Sequence, residues 1–167
     1  MIPIKAKVLA IGNLNIKPEE GTQIDKCLIR ELPAEGENVY DMIYCMNTLP
    51  ELERDEVPGA LTRMMELIRP FGEIQIMIPS AEYAAKRIYK YHEITDPILQ
   101  VVPYTMLYGT KANPFRACYT LLAMRDIIES VGLILRRTEA GLMEVRKPDT
   151  NESTQIPMHV LVATKNE

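Results

Sequence analysis

The apolar positions of the chain follow two rhythms, one of strands and one of helices. Lys7-Val8-Leu9-Ala10-Ile11 is a short apolar run broken at Gly12-Asn13, the pattern of a buried strand and a turn. Thr22-Gln23-Ile24-Asp25 predicts a second short strand, ending on an acidic residue. Asp41 to Met46, entered from Val39-Tyr40 and closed by Asn47-Thr48, predicts a third. Val57, Leu61, Met64, Met65 and Ile68 then recur at helical spacing as one continuous stripe. Asp55 is placed to cap that helix, Pro58 is tolerated in its first turn, and the helix must stop before Pro70. Phe71-Gly72 supplies the turn, and Glu73 to Pro79 alternates with period two as a fourth strand.

Ser80 caps a further helix running to about Tyr91. Residues 94–119 hold three prolines and several apolar residues, which predicts an insertion that packs on the sheet without joining it. Thr120 caps a helix with Met124, Ile127, Ile128 and Val131 on one face, and Gly132 ends it. Leu133 to Thr138 and Met158 to Thr164 predict two closing strands, with a polar, turn-rich stretch over Pro148 to Gln155. Only a loop joins them, so they pair antiparallel. Strands alternating with helices and then a hairpin make an α/β sheet, mostly parallel, in one domain over 1–167 with 80–119 as a lid or cap.

Composition narrows the classes. The chain has 167 residues, 47% hydrophobic and 25% charged, a globular balance. No apolar run approaches the ~20 residues of a membrane span. The first residues lack signal-peptide architecture, so a cytoplasmic location with reduced Cys27, Cys45 and Cys118 is expected. His92 and His159 lie far apart with no cysteine near either, which argues against a metal site. No G-x-S-x-G, P-loop or G-x-G-x-x-G occurs. The net charge of −4 argues against general nucleic-acid binding.

Ligands of open α/β sheets bind beyond the carboxyl ends of the strands, where strand order reverses. The strand ends are Gly12-Asn13, Asp25 and Met46-Asn47. Asp25 either accepts hydrogen bonds from a ribose diol or is a solvated surface acid. Gly12 either admits a ligand to the backbone or is a plain turn glycine, and Asn47 either orients a polar ligand or closes its strand. Asp41 enters its strand from the amino end and is structural. Six of the eight tyrosines lie between Ser80 and Tyr119. They stack a planar substrate or form a packed cap.

The string Val39-Tyr40-Asp41-Met42-Ile43-Tyr44-Cys45-Met46-Asn47-Thr48-Leu49-Pro50-Glu51-Leu52 has a known order. So does Leu67-Ile68-Arg69-Pro70-Phe71-Gly72-Glu73-Ile74-Gln75-Ile76-Met77-Ile78-Pro79, followed by Leu107-Tyr108-Gly109-Thr110-Lys111 and Ile128-Glu129-Ser130-Val131-Gly132-Leu133. Together these resemble class I S-adenosylmethionine-dependent methyltransferases of the type 11 group, over residues 7–13 and 39–138. The resemblance implies a seven-stranded Rossmann-like sheet and S-adenosylmethionine as cofactor. Gly12 and Asn13 would hold its methionyl part, Asp25 its ribose and the region of Leu32 its adenine, with Asn47 lining the crevice. Tyr83 and Tyr108 would stand near an unidentified methyl acceptor. The sequence departs from the family at the glycine-rich loop, reduced to Gly12-Asn13-Leu14-Asn15, and at Phe71, where the family has glycine. Few residues separate the first two strands, so the sheet is reduced at its N-terminal side. The alternative is a non-catalytic binding or structural module of the same fold, as a homo-oligomer or assembly subunit.

Overall fold

The computed structural model describes residues 6–12, 21–91, 97–111, 114–146 and 153–165. Strands β1 (Lys7–Ile11), β2 (Gln23–Cys27), β3 (Tyr40–Met46) and β4 (Ile68–Pro79) are mutually parallel where they pair. Helix α1 (Val57–Leu67) joins β3 to β4. Helices α2 (Ala81–Tyr91), α3 (Pro97–Tyr108) and α4 (Leu121–Ser130) follow, then β5 (Leu133–Arg146) and β6 (Ser153–Lys165). The sheet runs β2-β1-β3-β4-β6-β5, with β6 antiparallel to both neighbours. Among the described residues it has six strands, where the resemblance implied seven. Its order reverses between β1 and β3.

Side chains alternate across a sheet, so residue parity says which face each residue serves. Leu9, Ile11, Ile43, Cys45, Ile74, Ile76, Leu161 and Ala163 share one face and one core with α1 and α4. Helix α1 contributes Val57, Leu61, Met64 and Leu67, all fully buried, and α4 contributes Met124 and Ile128. Each such side chain contributes about 1.5–3 kcal/mol. Met77, Ile156 and Met158 have the opposite parity and form a second cluster with Ala84 of α2 and Met106 of α3. Helices α2 and α3 therefore cover the other face, and among the described residues the 80–119 insertion adds no strand to the sheet.

Several local expectations hold. Ser80 Oγ accepts from the Tyr83 amide at 3.2 Å, and Thr120 Oγ1 from the Ala123 amide at 3.1 Å. Others change. Residue Glu56, not Asp55, occupies the N-cap of α1 and makes no side-chain cap. Its carboxylate instead accepts from the Glu53 amide at 2.7 Å and from Arg30 at 2.9 Å. Helix α1 ends at Leu67, and Ile68, expected on its stripe, already pairs with Tyr40 as the start of β4. The next registered pair is Met42 with Glu73, so Arg69 to Gly72 bulge out of the ladder.

Phe71 carries the bulge at φ 64°, a left-handed backbone, with 79% of its surface exposed. That conformation costs an L-residue about 1–2 kcal/mol, and exposure returns little from burial. At Gly72 a Cβ would lie 2.8 Å from the Asp41 carbonyl oxygen. Replacing Phe71 by glycine is expected to raise unfolding stability by about 0.5–1 kcal/mol, whereas Gly72→Ala lowers it. Urea denaturation of the two variants checks both signs.

Candidate active site

Three strand ends meet at the reversal point. Gly12, just past β1, has φ +98°, and its amide donates to the Cys27 carbonyl at 2.9 Å. A Cβ there would lie 2.5 Å from the Thr48 methyl. Thr48 is 5% exposed, and its Oγ1 stands 3.3 Å from Cys45 Sγ. Burial, the leading influence, pushes the Cys45 thiol up to about 12 against that hydrogen bond. Glycine at position 12 is thus required by the chain's own threonine. Asn13 lies outside the described residues.

Asp25 corrects the expectation for β2. The strand continues to Cys27, so Asp25 is an interior position, opposite Leu9, rather than the strand's end. Its carboxylate accepts from the Tyr40 hydroxyl at 2.9 Å and from Gln23 at 3.2 Å, and pairs with Lys7 Nζ at 3.3 Å. Lys7 and Tyr40 are the first residues of their strands, so the carboxylate turns toward the amino end of the sheet, away from the crevice. Burial alone would raise its pKa, but bonds from Tyr40, Gln23 and Lys7 hold it below the usual value. Tyr40, buried and facing this anion, is pushed up to about 12 and stays a neutral donor. Asp41 accepts from the Lys7 amide at 2.7 Å and Arg69 at 2.6 Å, a structural clasp.

Asn47 follows β3 with φ 57°, and its amide donates to the Met77 carbonyl at 2.7 Å. Its Oδ1 is buried and has no hydrogen-bond partner among the described residues. Asn47 lines a cavity of about 110 Å³ that also meets Pro79 at the end of β4, and Thr105, Met106, Gly109 and Thr110 at the end of α3. Phe115, Met143 and Ile156 complete its largely apolar wall.

The remaining expected residues scatter. Leu32 is partly buried and packs against the main core. Tyr83 packs against the second cluster, with Arg87 5.9 Å from its ring centre. Tyr108 immediately precedes the cavity's Gly109, is 64% exposed and stacks on Tyr104 at 6.3 Å. Two features escaped sequence reasoning. One is α3, which roofs the cavity. The other is a clamp in which Glu82 lies 3.0 Å from His159 Nε2 while accepting from the Leu121 amide at 2.8 Å. Burial opposes the Glu82 charge, but these bonds hold its pKa down.

No family model matches the sequence, and no curated protein matches it. Solved structures do. A methyltransferase from Methanosarcina mazei, described as S-adenosylmethionine-dependent, aligns with TM-score 0.59 at 10% identity, covering 96% of this chain and 93% of that one. The Burkholderia thailandensis 1,6-didemethyltoxoflavin-N1-methyltransferase, with 1,6-didemethyltoxoflavin and S-adenosylhomocysteine bound, aligns at 0.55 and 16% identity, covering 97% and 72%. A protein of echinomycin biosynthesis, in a study of disulfide conversion to a thioacetal, aligns at 0.57 and 18%, covering 87% of this chain. This chain spans only 56% of that protein's length. The likeness is one of fold: the chain has the class I methyltransferase architecture.

The Tyr40–Asp25 bond yields a pH-dependent prediction. Asp25 has a lowered folded pKa, so its stabilisation is present above its unfolded value of about 3.9 and is lost as pH falls through the folded one. Tyr40→Phe is expected to cost about 1 kcal/mol at pH 7, with allowance for the partial exposure of the carboxylate. That cost shrinks below about pH 4. Urea unfolding of both proteins at pH 7 and pH 3 checks it; an equal cost at both would remove Asp25 as the cause.

Proposed function

We propose that the chain binds S-adenosylmethionine across the carboxyl ends of β1, β2 and β3 and acts as a methyltransferase, its acceptor entering the cavity at Asn47. The observation that carries the reading is a cavity lined by Asn47 and Pro79, at the strand ends beside the reversal point of a methyltransferase-fold sheet. The residues fit the sulfonium end of the cofactor. The amide oxygen of Asn47 suits a neighbouring cation, and the Thr48 methyl, which takes the space beside the Gly12 Cα, leaves the cofactor the strand ends around it. The cavity itself is too small for the whole cofactor, since sites for such ligands run to about 300–1,000 Å³. The adenosyl part would lie along the open strand ends.

Asp25 does not fit a ribose, its carboxylate being committed to Tyr40, Gln23 and Lys7. The carboxylate near the carboxyl end is Glu31, in the single 3-10 turn Ile29–Glu31 that follows the strand. Burial first, and then the charge of Glu31, raises the Cys27 thiol. In this reading Glu31 takes the ribose role that the resemblance gave Asp25. The bound sulfonium supplies an already activated methyl group. The chain's part is positioning: Asn47 orients the acceptor, Met106, Phe115 and Ile156 keep water from it, and alignment supplies most of the rate.

A second reading, a non-catalytic module within an assembly, is favoured by one observation. Thr48 fills the space above Gly12 where a ligand would approach the main chain.

Calorimetric titration with S-adenosylhomocysteine separates the two. Saturable binding is expected, weakened about tenfold (about 1.4 kcal/mol) by Glu31→Gln and unchanged by Asp25→Asn. Absence of heat would leave the module reading standing. A loss with Asp25→Asn alone would return the ribose to Asp25.

A further inference from the structure

We infer that the Glu51 carboxylate, left without a partner where the chain leaves β3, is the subsite that receives the sulfonium charge of the bound cofactor and makes the site prefer it to the neutral thioether. This rests on the reading of the carboxyl edge as the cofactor site and adds the residue that reads the cofactor's charge.

The turn that carries Glu51 is pinned at that edge. Leu49–Glu51 is a single 3-10 turn that follows Asn47 and Thr48, with Leu49 and Leu52 buried at its two ends. The Glu51 amide donates to the Thr48 carbonyl at 2.9 Å, and the Pro50 carbonyl accepts from the Arg116 amide at 2.7 Å. Arg30, on the chain leaving β2, donates to the Glu51 carbonyl at 3.2 Å. In the order β2-β1-β3 that bond joins the chain exits on either side of β1, so Glu51 stands among the strand ends where the order reverses.

The backbone of Glu51 is held and its carboxylate is not. Of the half-buried carboxylates among the described residues, Asp25, Asp41 and Glu82 each accept two bonds or more. Glu73 stands opposite Met42, toward the amino end of the sheet. Glu51 is the one at the carboxyl edge, and among the described residues its carboxylate has no hydrogen bond or ion pair. The nearby cations are spent elsewhere. Arg30 places its two terminal nitrogens on Glu56 at 2.9 and 3.2 Å, and Arg116 pairs with Glu53 at 2.9 Å. Burial raises the Glu51 pKa, and the charge of Arg30 offsets this only in part. A half-buried anion is costly until a cation joins it, and a ligand with a permanent positive charge supplies that cation. A sulfonium has no N–H or O–H to donate, so charge is the feature by which a site can tell it from a thioether.

The test titrates the full chain at pH 7 by calorimetry with three ligands. S-adenosylmethionine carries the sulfonium, sinefungin an ammonium in its place, and S-adenosylhomocysteine a neutral sulfur. The two cations are expected to bind about tenfold tighter than S-adenosylhomocysteine. Glu51→Gln keeps the size and loses the charge, so it is expected to abolish that preference and leave S-adenosylhomocysteine within about twofold. Equal binding of the three by the unaltered protein, or a preference that survives in Glu51→Gln, would overturn the inference. So would an equal loss for all three, which would assign Glu51 to a part they share. Urea unfolding supplies a second readout. The folded pKa of Glu51 is raised, so its penalty is absent below the unfolded value of about 4.3 and grows as pH rises through the folded one. Glu51→Gln is therefore expected to have the higher urea midpoint at pH 7 and no advantage at pH 3. A lower midpoint at pH 7 would make Glu51 a structural carboxylate and overturn its assignment. If none of the three ligands binds, the cofactor reading falls and the charge subsite with it. If S-adenosylhomocysteine binds as tightly as the cations, the cofactor reading stands and the charge subsite alone is lost.

Discussion

The carboxyl edge of the sheet is organised by one steric contact, the Thr48 methyl lying over the bare Cα of Gly12. It joins the ends of β1 and β3 at the point where strand order reverses. Because Thr48 also bonds Cys45, the chain leaving β3 has no freedom to continue straight. It turns at Asn47 into the left-handed region, and the Asn47 amide closes the turn on Met77 of β4. The unpartnered Oδ1 of its side chain stands on that turn. Enlarging residue 12 would disturb the thiol, the turn and the cavity together, because all three lean on the same contact.

Much of the fold was legible in the sequence because periodicity was strong where burial was complete. The α1 stripe at Val57, Leu61 and Met64 and the α4 stripe at Met124 and Ile128 mark the elements whose side chains reach the main core. Legibility failed where tertiary pairing overrides local chemistry. Strand β5 continues past Thr138 through Glu139, Ala140 and Gly141, a stretch with no strand-like pattern, because β6 supplies its ladder residue by residue to Arg146. Helix α3 was hidden by Pro97 and Pro103. The first stands in the opening turn, where a missing donor costs nothing, and the second is buried inside the helix.

The site was legible by region and not by residue. A strand end read from sequence carries an uncertainty of about two residues. Two residues is the distance from Asp25 to Cys27, which keeps the same face of the sheet but exchanges a crevice carboxylate for one tied to Tyr40 and Lys7. The sequence carries no signal for that exchange, since Lys7 and Tyr40 lie far from Asp25 in the chain. Asn47 stands just past β3, as expected, because the run Asp41 to Met46 defines the end of that strand sharply. Its unpaired oxygen could not have been read, because the burial of one amide oxygen is a tertiary property with no local pattern.

The cover over this face of the sheet is tied down through α2. Glu82 ties α2 to His159 in β6 and to the first amide of α4, so α2 is anchored to the sheet by a charge shared between two elements. Helix α3 reaches the second core through Met106 and Leu107. Apolar contact is non-directional and tolerates sliding, whereas the Glu82 clamp does not. The two hydrogen bonds of Glu82 therefore fix α2 by direction as well as by packing, while Met106 of α3 meets both the cavity and the second core.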